Sequence, residues 1–333
     1  MPISHYPVIA RAHTNIALIK YWGKANEKLI IPENNSLSMT LDNFYTDTSV
    51  QFSQSLTHDE LILNHQLIDD STRITKFLDL VRKRAGINFY AKVESINHVP
   101  TSAGMASSAS AFSALAAASS KAAGLNLNFK DLSRLARRGS GSASRSIYGG
   151  FVEWKKGTND SNSYAVSIQE HPIMDIRLIT VILNRSHKRI SSREGMKRSV
   201  QTSPYYDAWK KTTASDLQKV KNAISKNNFN QLGQVAESNA MKMHALTLSA
   251  WPDFMYFKPD TIKVINKVKS FRDNGINCYF TMDAGPNVII VCLKKDSQFI
   301  KSNLSKTLKS DNIVVSGPGE GVKFLHKIKS EGK

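Results

Sequence analysis

Apolar and polar positions alternate over residues 48–52 and 88–93, the period of a strand with one face buried. Residues 107–123 change the pattern to an Ala-rich run with Phe112 and Leu115 as its larger apolar groups, which predicts a helix that stops at Gly124. Asn128, with Asp131 three positions on, predicts an N-cap for a further helix through about Arg138. A buried-strand pattern covers 178–183, and helical stretches follow over 192–202, 205–227, 229–248 and 261–274. Apolar runs at 278–282 and 288–293 flank the turn Asp283-Ala284-Gly285-Pro286-Asn287, which predicts a hairpin-like pair. One more strand is expected over 312–316, then a Gly-rich turn over 317–321.

Strands and helices are therefore mixed without the regular alternation of a doubly wound sheet. The expected class is α+β with two lobes, divided into 1–185 and 186–333. A chain of 333 residues is long enough for one large domain or two joined lobes. Hydrophobic residues at 41% and charged residues at 22% exclude a disordered chain. Cys278 and Cys292 lie in apolar strand-like runs and read as small core residues rather than a disulfide framework or zinc site. The N-terminus carries no basic region followed by an apolar stretch, and no apolar run is long enough for a bilayer. The expected setting is reducing and cytoplasmic, without a membrane partner.

The formal net charge of +18 points to an anionic ligand of some kind. Much of it lies in lysines such as Lys219, Lys221, Lys226, Lys263, Lys267 and Lys269, which sit on helical stretches as solvated faces. No zinc-finger spacing and no aromatic RNA-binding motif accompanies the charge, so no nucleic-acid partner is expected.

Residues 100–109, Pro-Thr-Ser-Ala-Gly-Met-Ala-Ser-Ser-Ala, combine small side chains with the start of a helix. Small residues let a ligand approach the backbone, and a helix start offers unpaired N–H groups and the positive end of the dipole. No lysine follows the glycine, so this is not the GxxxxGK[ST] loop. Composition leaves two readings open, a phosphate loop and a small-residue helix packed on a sheet. Asp283 is similarly open, as a reactive carboxylate or the capping residue of an Asx turn.

In company the loop becomes specific. Pro-x-x-x-Gly-x-x-Ser-Ser-Ala resembles the second motif of the GHMP small-molecule kinase superfamily. Residues 12–24, AHTNIALIKYWGK, resemble the first motif of the mevalonate diphosphate decarboxylases within it, as do 141–151, GSASRSIYGGF, 191–196, SSREGM, and 282–288, MDAGPNV. The resemblance covers about residues 10–293 and implies a two-lobed GHMP-kinase-like fold with a deep cleft.

It further implies ATP and Mg2+ as cofactors, mevalonate 5-diphosphate as the small-molecule partner, and a homodimer. Asn15, Tyr21 and Lys24 are then expected on the substrate, with Lys20 beside the carboxylate of Asp283 to keep it ionised. Ser140, Ser142 and Arg145 are expected at the substrate's carboxylate and diphosphate ends, and Ser192 and Arg193 at the diphosphate. Lys188 and Arg189 receive no role. The ATP contacts are Asn97, Pro100, Ser102, Ala103, Gly104, Met105, Ala106, Ser107 and Ser108, with Ser107 as the hydroxyl on the magnesium side. The catalytic set is Asp283, Lys20 and Arg145, and the implied reaction is 3-phosphorylation followed by loss of carbon dioxide and phosphate to isopentenyl diphosphate. Two rivals stand beside it, a mevalonate-pathway kinase of the same superfamily that does not decarboxylate, and a basic nucleic-acid-binding protein.

Overall fold

The computed structural model describes residues 3–98, 107–184 and 189–326. The chain opens with β1 (Val8–Ile19), short strands β2 (Lys24–Asn26) and β3 (Ile31–Pro32), and the long strand β4 (Ser36–Ser53). Next come β5 (Glu60–Leu63), β6 (Gln66–Leu67), α1 (Thr72–Ala85), β7 (Tyr90–His98), α2 (Ser107–Ala122) and α3 (Phe129–Gly139). A 3-10 turn over Gly141–Ile147 leads into the hairpin of β8 (Phe151–Lys155) and β9 (Tyr164–Gln169). The second half holds β10 (Ile176–Val181), α4 (Ser192–Thr202), α5 (Tyr206–Ser225), α6 (Phe229–Leu248) and α7 (Pro259–Asp273). It ends with β11 (Cys278–Thr281), β12 (Val288–Leu293), α8 (Lys294–Leu304), β13 (Ile313–Ser316) and β14 (Lys323–Leu325).

Two sheets organise these elements. The larger runs β14-β1-β4-β7-β5-β6, with β8 and β9 continuing from β4. The smaller is an antiparallel sheet in the order β11-β12-β10-β13. An α+β, two-lobed arrangement is therefore what the chain adopts. The expected division at 185/186 falls after β10, which pairs within the second sheet, and the chain end returns to the first sheet as β14 pairs with β1.

Local sequence explains the elements. In α2, Ala109, Ala114, Ala116, Ala117 and Ala118 are fully buried, and their small side chains let the helix lie close on β1 and β4. Its serines are satisfied inside the packing: Ser113 Oγ donates to the carbonyls of Ala109 and Ala143, each at 2.7 Å. Asn128 caps α3 by accepting from Asp131 N at 2.9 Å, and Ser191 caps α4 by accepting from Glu194 N at 3.1 Å.

One core lies between the larger sheet and α1, α2 and α3. A second joins Ile16, Leu18 and Leu37 of that sheet to Leu217 and Leu232 of α5 and α6 and to Val291 of β12, so apolar packing runs continuously from lobe to lobe. A third fills the far face of the smaller sheet beneath α7 and α8.

The Gly-rich stretch at 317–321 corrects an expectation, because it is not a turn. It runs extended along β4, with Gly319 N donating to Thr40 O at 2.7 Å and Pro318 bridged to Leu41. A Cβ on Gly319 would lie 2.2 Å from the Leu41 carbonyl oxygen, so the glycines here serve close approach of two strands.

Candidate active site

A cavity of about 540 Å³ opens between the lobes. The first lobe contributes the exit of β1, the C-terminal end of α3 and the 3-10 turn; the second contributes the start of α4, Met243 of α6 and the β11–β12 connection. Asn15, Lys20, Tyr21, Lys24, Ser108, Ser140, Ser142, Arg145, Ser192, Arg193 and Asp283 all line it.

Lys20 is the first residue beyond β1 and is 1% exposed. Its ammonium donates to Asp283 Oδ1 and to the Ala17 carbonyl, each at 2.7 Å. Burial pulls its pKa below the ordinary lysine value, while Asp283 opposes the shift. Asp283 lies in the short connection between two antiparallel strands, with its side chain partly open to the cavity. A carboxylate there faces a cation on one side and ligand space on the other.

Arg145 is also buried, yet neutral oxygens hold it. Its Nε donates to Asn15 Oδ1 at 3.2 Å and its Nη1 to Ser36 Oγ at 2.6 Å. Among the described residues no carboxylate comes within ion-pair distance of it, so its charge remains available to an anionic ligand. Burial lowers the guanidinium pKa to about 10, with Asp283 and Tyr21 opposing, and it stays cationic at neutral pH. Asn15 is held in turn, donating from Nδ2 to Ser142 O at 3.0 Å and to Ser146 Oγ at 2.7 Å. The β1–β4 register shifts between His13 and Asn15, and such irregularities re-aim side chains beside functional sites.

The serines form a chain of hydroxyls. Ser108 Oγ lies 3.2 Å from Ser140 Oγ, and Ser140 Oγ lies 3.4 Å from Ser142 Oγ. This line connects the first turn of α2, where the small-residue loop ends, to the turn carrying Arg145. Tyr21 packs edge-on against Trp154 at 4.8 Å, and its hydroxyl has no hydrogen-bond partner among the described residues. Gly141 makes room for that ring, since a Cβ there would sit 2.8 Å from Tyr21 and 2.9 Å from Trp154. Lys24 pairs with Glu27, and Arg193 stands exposed in the first turn of α4 at the cavity.

Asn97 lies elsewhere. It is on β7, outside the cavity lining, and its Oδ1 accepts from Thr46 Oγ1 at 2.9 Å. Pro100, Ser102, Ala103, Gly104, Met105 and Ala106 fall outside the described residues, as does Lys188, and of Ser107 only the backbone is described. Arg189 is exposed and absent from the lining.

Sequence reasoning missed Arg73, which reaches the cavity from α1, donates to the Gly139 carbonyl at 2.9 Å and lies over the Phe112 ring. Burial and then Arg193 lower its pKa, so it belongs to the same positive field. Ser191 and Met196 of the α4 region also reach the cavity. The SSREGM motif was the available signal for both, whereas nothing in the local sequence marks Arg73.

The chemistry of the donor set suits phosphates. Lys20, Lys24, Arg73, Arg145 and Arg193 surround one another's cavity with Asp283 as the inward carboxylate, and hydroxyls fill the remaining positions. Among the described residues no three His, Cys, Asp or Glu side chains gather to hold a metal; the oxygens lining the cavity include the Ser108 hydroxyl and the Asp283 carboxylate.

Comparison with known proteins identifies the family of the chain. Residues 12–165 match the model described as diphosphomevalonate decarboxylase-like N-terminal domain, and residues 178–327 match the mevalonate 5-diphosphate decarboxylase C-terminal domain. The diphosphomevalonate decarboxylase of Ganoderma lucidum is 35% identical, over 88% of this chain and 80% of its own length. The crystal structure of mevalonate diphosphate decarboxylase from Staphylococcus aureus is 48% identical, with a TM-score of 0.93 over 96% of this chain and 98% of the other. A solved complex of MDDEF with MVAPP, AMPPCP and magnesium is 46% identical, with a TM-score of 0.91 over 96% and 99% of the two chains.

Proposed function

The chain belongs to the diphosphomevalonate decarboxylase family, and from that premise we infer how its cleft divides the work of the reaction. The activity is ATP-dependent decarboxylation of mevalonate 5-diphosphate to isopentenyl diphosphate on a GHMP-kinase-like fold. The observation that carries the division is the Lys20–Asp283 pair, 2.7 Å long, opening onto a cavity whose other charged residues, among those described, are cationic.

A tertiary alcohol is a poor leaving group, so elimination needs the C3 oxygen phosphorylated. Asp283 orients that hydroxyl and accepts its proton as the γ-phosphoryl group transfers. Lys20 keeps the carboxylate ionised and fixes its direction. Arg145, held by Asn15 and Ser36, receives the substrate carboxylate and fixes its direction relative to the departing phosphate. The bond to that carboxylate must lie parallel to the breaking C3–O bond and on its far side; as phosphate leaves, positive character develops at C3. The electrons of the breaking bond to carbon dioxide then form the new double bond. Ser140, Ser142, Ser192, Arg193, Tyr21 and Lys24 bind the diphosphate end, and Arg73 adds charge where the two ligands meet.

The small-residue loop and the first turn of α2 take the ATP phosphates, with Ser107 or Ser108 toward magnesium. Magnesium, bound with the nucleotide, neutralises phosphate charge during transfer. The MDDEF complex with AMPPCP and magnesium supports ATP and magnesium as the cofactors. Asn97 remains our choice for the adenine side, reached from β7 beside the loop. We also place the boundary between the lobes in the connection from β9 to β10, and the enzyme in the cytoplasm as a homodimer; sedimentation of the purified protein tests the last point. Among the described residues no helix is long and apolar enough to cross a membrane.

Incubation with ATP, magnesium and mevalonate 5-diphosphate tests the reading: carbon dioxide and ADP should appear in equal amounts. A stable 3-phosphorylated product without gas would instead make the protein a kinase.

A further inference from the structure

Lys20 meets Asp283 only if its main chain is held in place, and the β-ladder does not hold it. The last β1–β4 partners are Ile19 and Leu37, one position earlier. A buried amide and carbonyl past the end of a ladder must find partners elsewhere. Lys20 N donates to Asn239 Oδ1 at 2.8 Å, and Lys20 O accepts from Asn34 Nδ2 at 2.8 Å.

Asn239 is fully buried on α6, in the opposite lobe from β1. Its Nδ2 donates to Asp216 Oδ2 at 2.9 Å, and Asp216, buried on α5, also accepts from Lys242 Nζ at 2.8 and 3.0 Å. A carboxylate paired with an ammonium only accepts, so Asp216 dictates which end of the amide faces Lys20. Reversing the amide would set oxygen against carboxylate and N–H against N–H. The residues next to the pair along α5 and α6 include the buried apolar Leu217, Ala236 and Ala240. A buried amide in such a place is costly unless each of its groups is used.

We propose that Asn239 is a positioning residue for the reaction, aligning the Lys20 main chain so that its ammonium meets Asp283, with Asp216 and Lys242 setting the amide's orientation. The proposal rests on the reading of Asp283 as the carboxylate that handles the substrate hydroxyl. Asn239 does not line the cavity, so it acts through Lys20 and not through either ligand. Misplacement of reacting groups by about 1 Å costs roughly 100-fold in rate.

The test is Asn239→Leu, close in volume and unable to accept. The expected result is a fall in kcat of about 10- to 100-fold, with both KM values within about threefold. The basic limb of kcat against pH should also move to lower pH. Lys20 faces Asp283, Arg145 and His244, and only Asp283 favours its charge, so loosening that contact eases loss of the proton. A residue with a purely structural role would lower the melting temperature and leave the limb where it is. Turnover within twofold of the parent and an unmoved limb overturn the proposal. If Asn239→Leu does not fold, Asp216→Asn decides. It frees the amide to reverse and should cost several-fold in kcat with the same displacement of the limb, and normal kinetics there overturn the proposal equally. Asp283→Asn is assayed alongside. Full turnover in that variant sinks the reading beneath the proposal, whereas an inactive Asp283→Asn beside a normal Asn239→Leu removes the positioning role alone.

Discussion

Arg145 donates from Nε to Asn15 Oδ1 at 3.2 Å, so a buried guanidinium on the 3-10 turn rests against a neutral amide from β1. A carboxylate in that position would have spent the charge internally. The arrangement predicts that Arg145→Ala both raises KM for mevalonate 5-diphosphate and lowers kcat. The loss should reach about 2 kcal/mol or more, roughly 30-fold in kcat/KM, as for truncation of a buried charged partner. Arg145→Lys should recover little, since one ammonium cannot replace the fork. Steady-state kinetics at varied substrate check both.

Asp283→Ala should keep ATP and substrate binding while turnover falls by roughly 100- to 10,000-fold, the usual worth of a positioned proton acceptor. Calorimetric titration of the variant beside a single-turnover assay separates the two effects. Lost binding with normal turnover at saturation would give Asp283 another role.

Lys20 should impose a basic limit on activity below the ordinary lysine range. Burial, the larger influence, lowers its pKa against the pull of Asp283. As pH rises through the lowered value, the ammonium is lost and Asp283 loses its partner, so kcat falls. Stability moves the other way in that window, because the unfolded chain there binds the proton the native chain has released. Lys20→Met should show low turnover with no such limb, read from kcat across pH 7–10.5.

His13 and His244 predict loss of stability in acid. Burial lowers His13 to about 4, assisted by Lys323 and Arg11, and lowers His244 to about 3, assisted by Lys20. Below about 6.5 the unfolded imidazoles take protons that the fold refuses, so stability falls as pH falls. Each should cost about 2 kcal/mol by pH 5. Urea unfolding at pH 7.5 and pH 5 measures the drop, and His244→Leu should shrink it by about the same amount.

Sequence pattern foresaw α4 and α6 from their helical spacing, Met196 and Val200 in α4 and Leu232, Ala236, Ala240 and Met243 in α6. It did not expose β1 in full. In VIARAHTNIALI, Arg11, His13, Thr14 and Asn15 interrupt the apolar run, and all four are buried because tertiary contacts receive them; Arg11, for example, pairs with Asp47 at 2.6 Å. α1 and α8 also went unread, lysine- and arginine-rich helices with narrow apolar faces. At the site, motif residues gathered around one cavity, while Arg73 joined them only through the placement of α1. Asn97 lies apart from that cavity, and its Oδ1 accepts from Thr46, a contact 51 positions away that no local pattern shows. Asn239 carries no local mark, since its partner Lys20 is 219 positions away.

The return of β14 to β1 has a bearing on how the molecule is made. Val8–Ile19 is translated long before Lys323–Leu325, yet these strands are neighbours. Until Lys323–Leu325 has emerged, the edge of β1 at Ile9–Arg11 is a row of unpaired amides and carbonyls, able to template another chain. Deleting the segment from residue 323 onward should therefore yield protein that aggregates during synthesis, although every residue lining the cleft is still encoded.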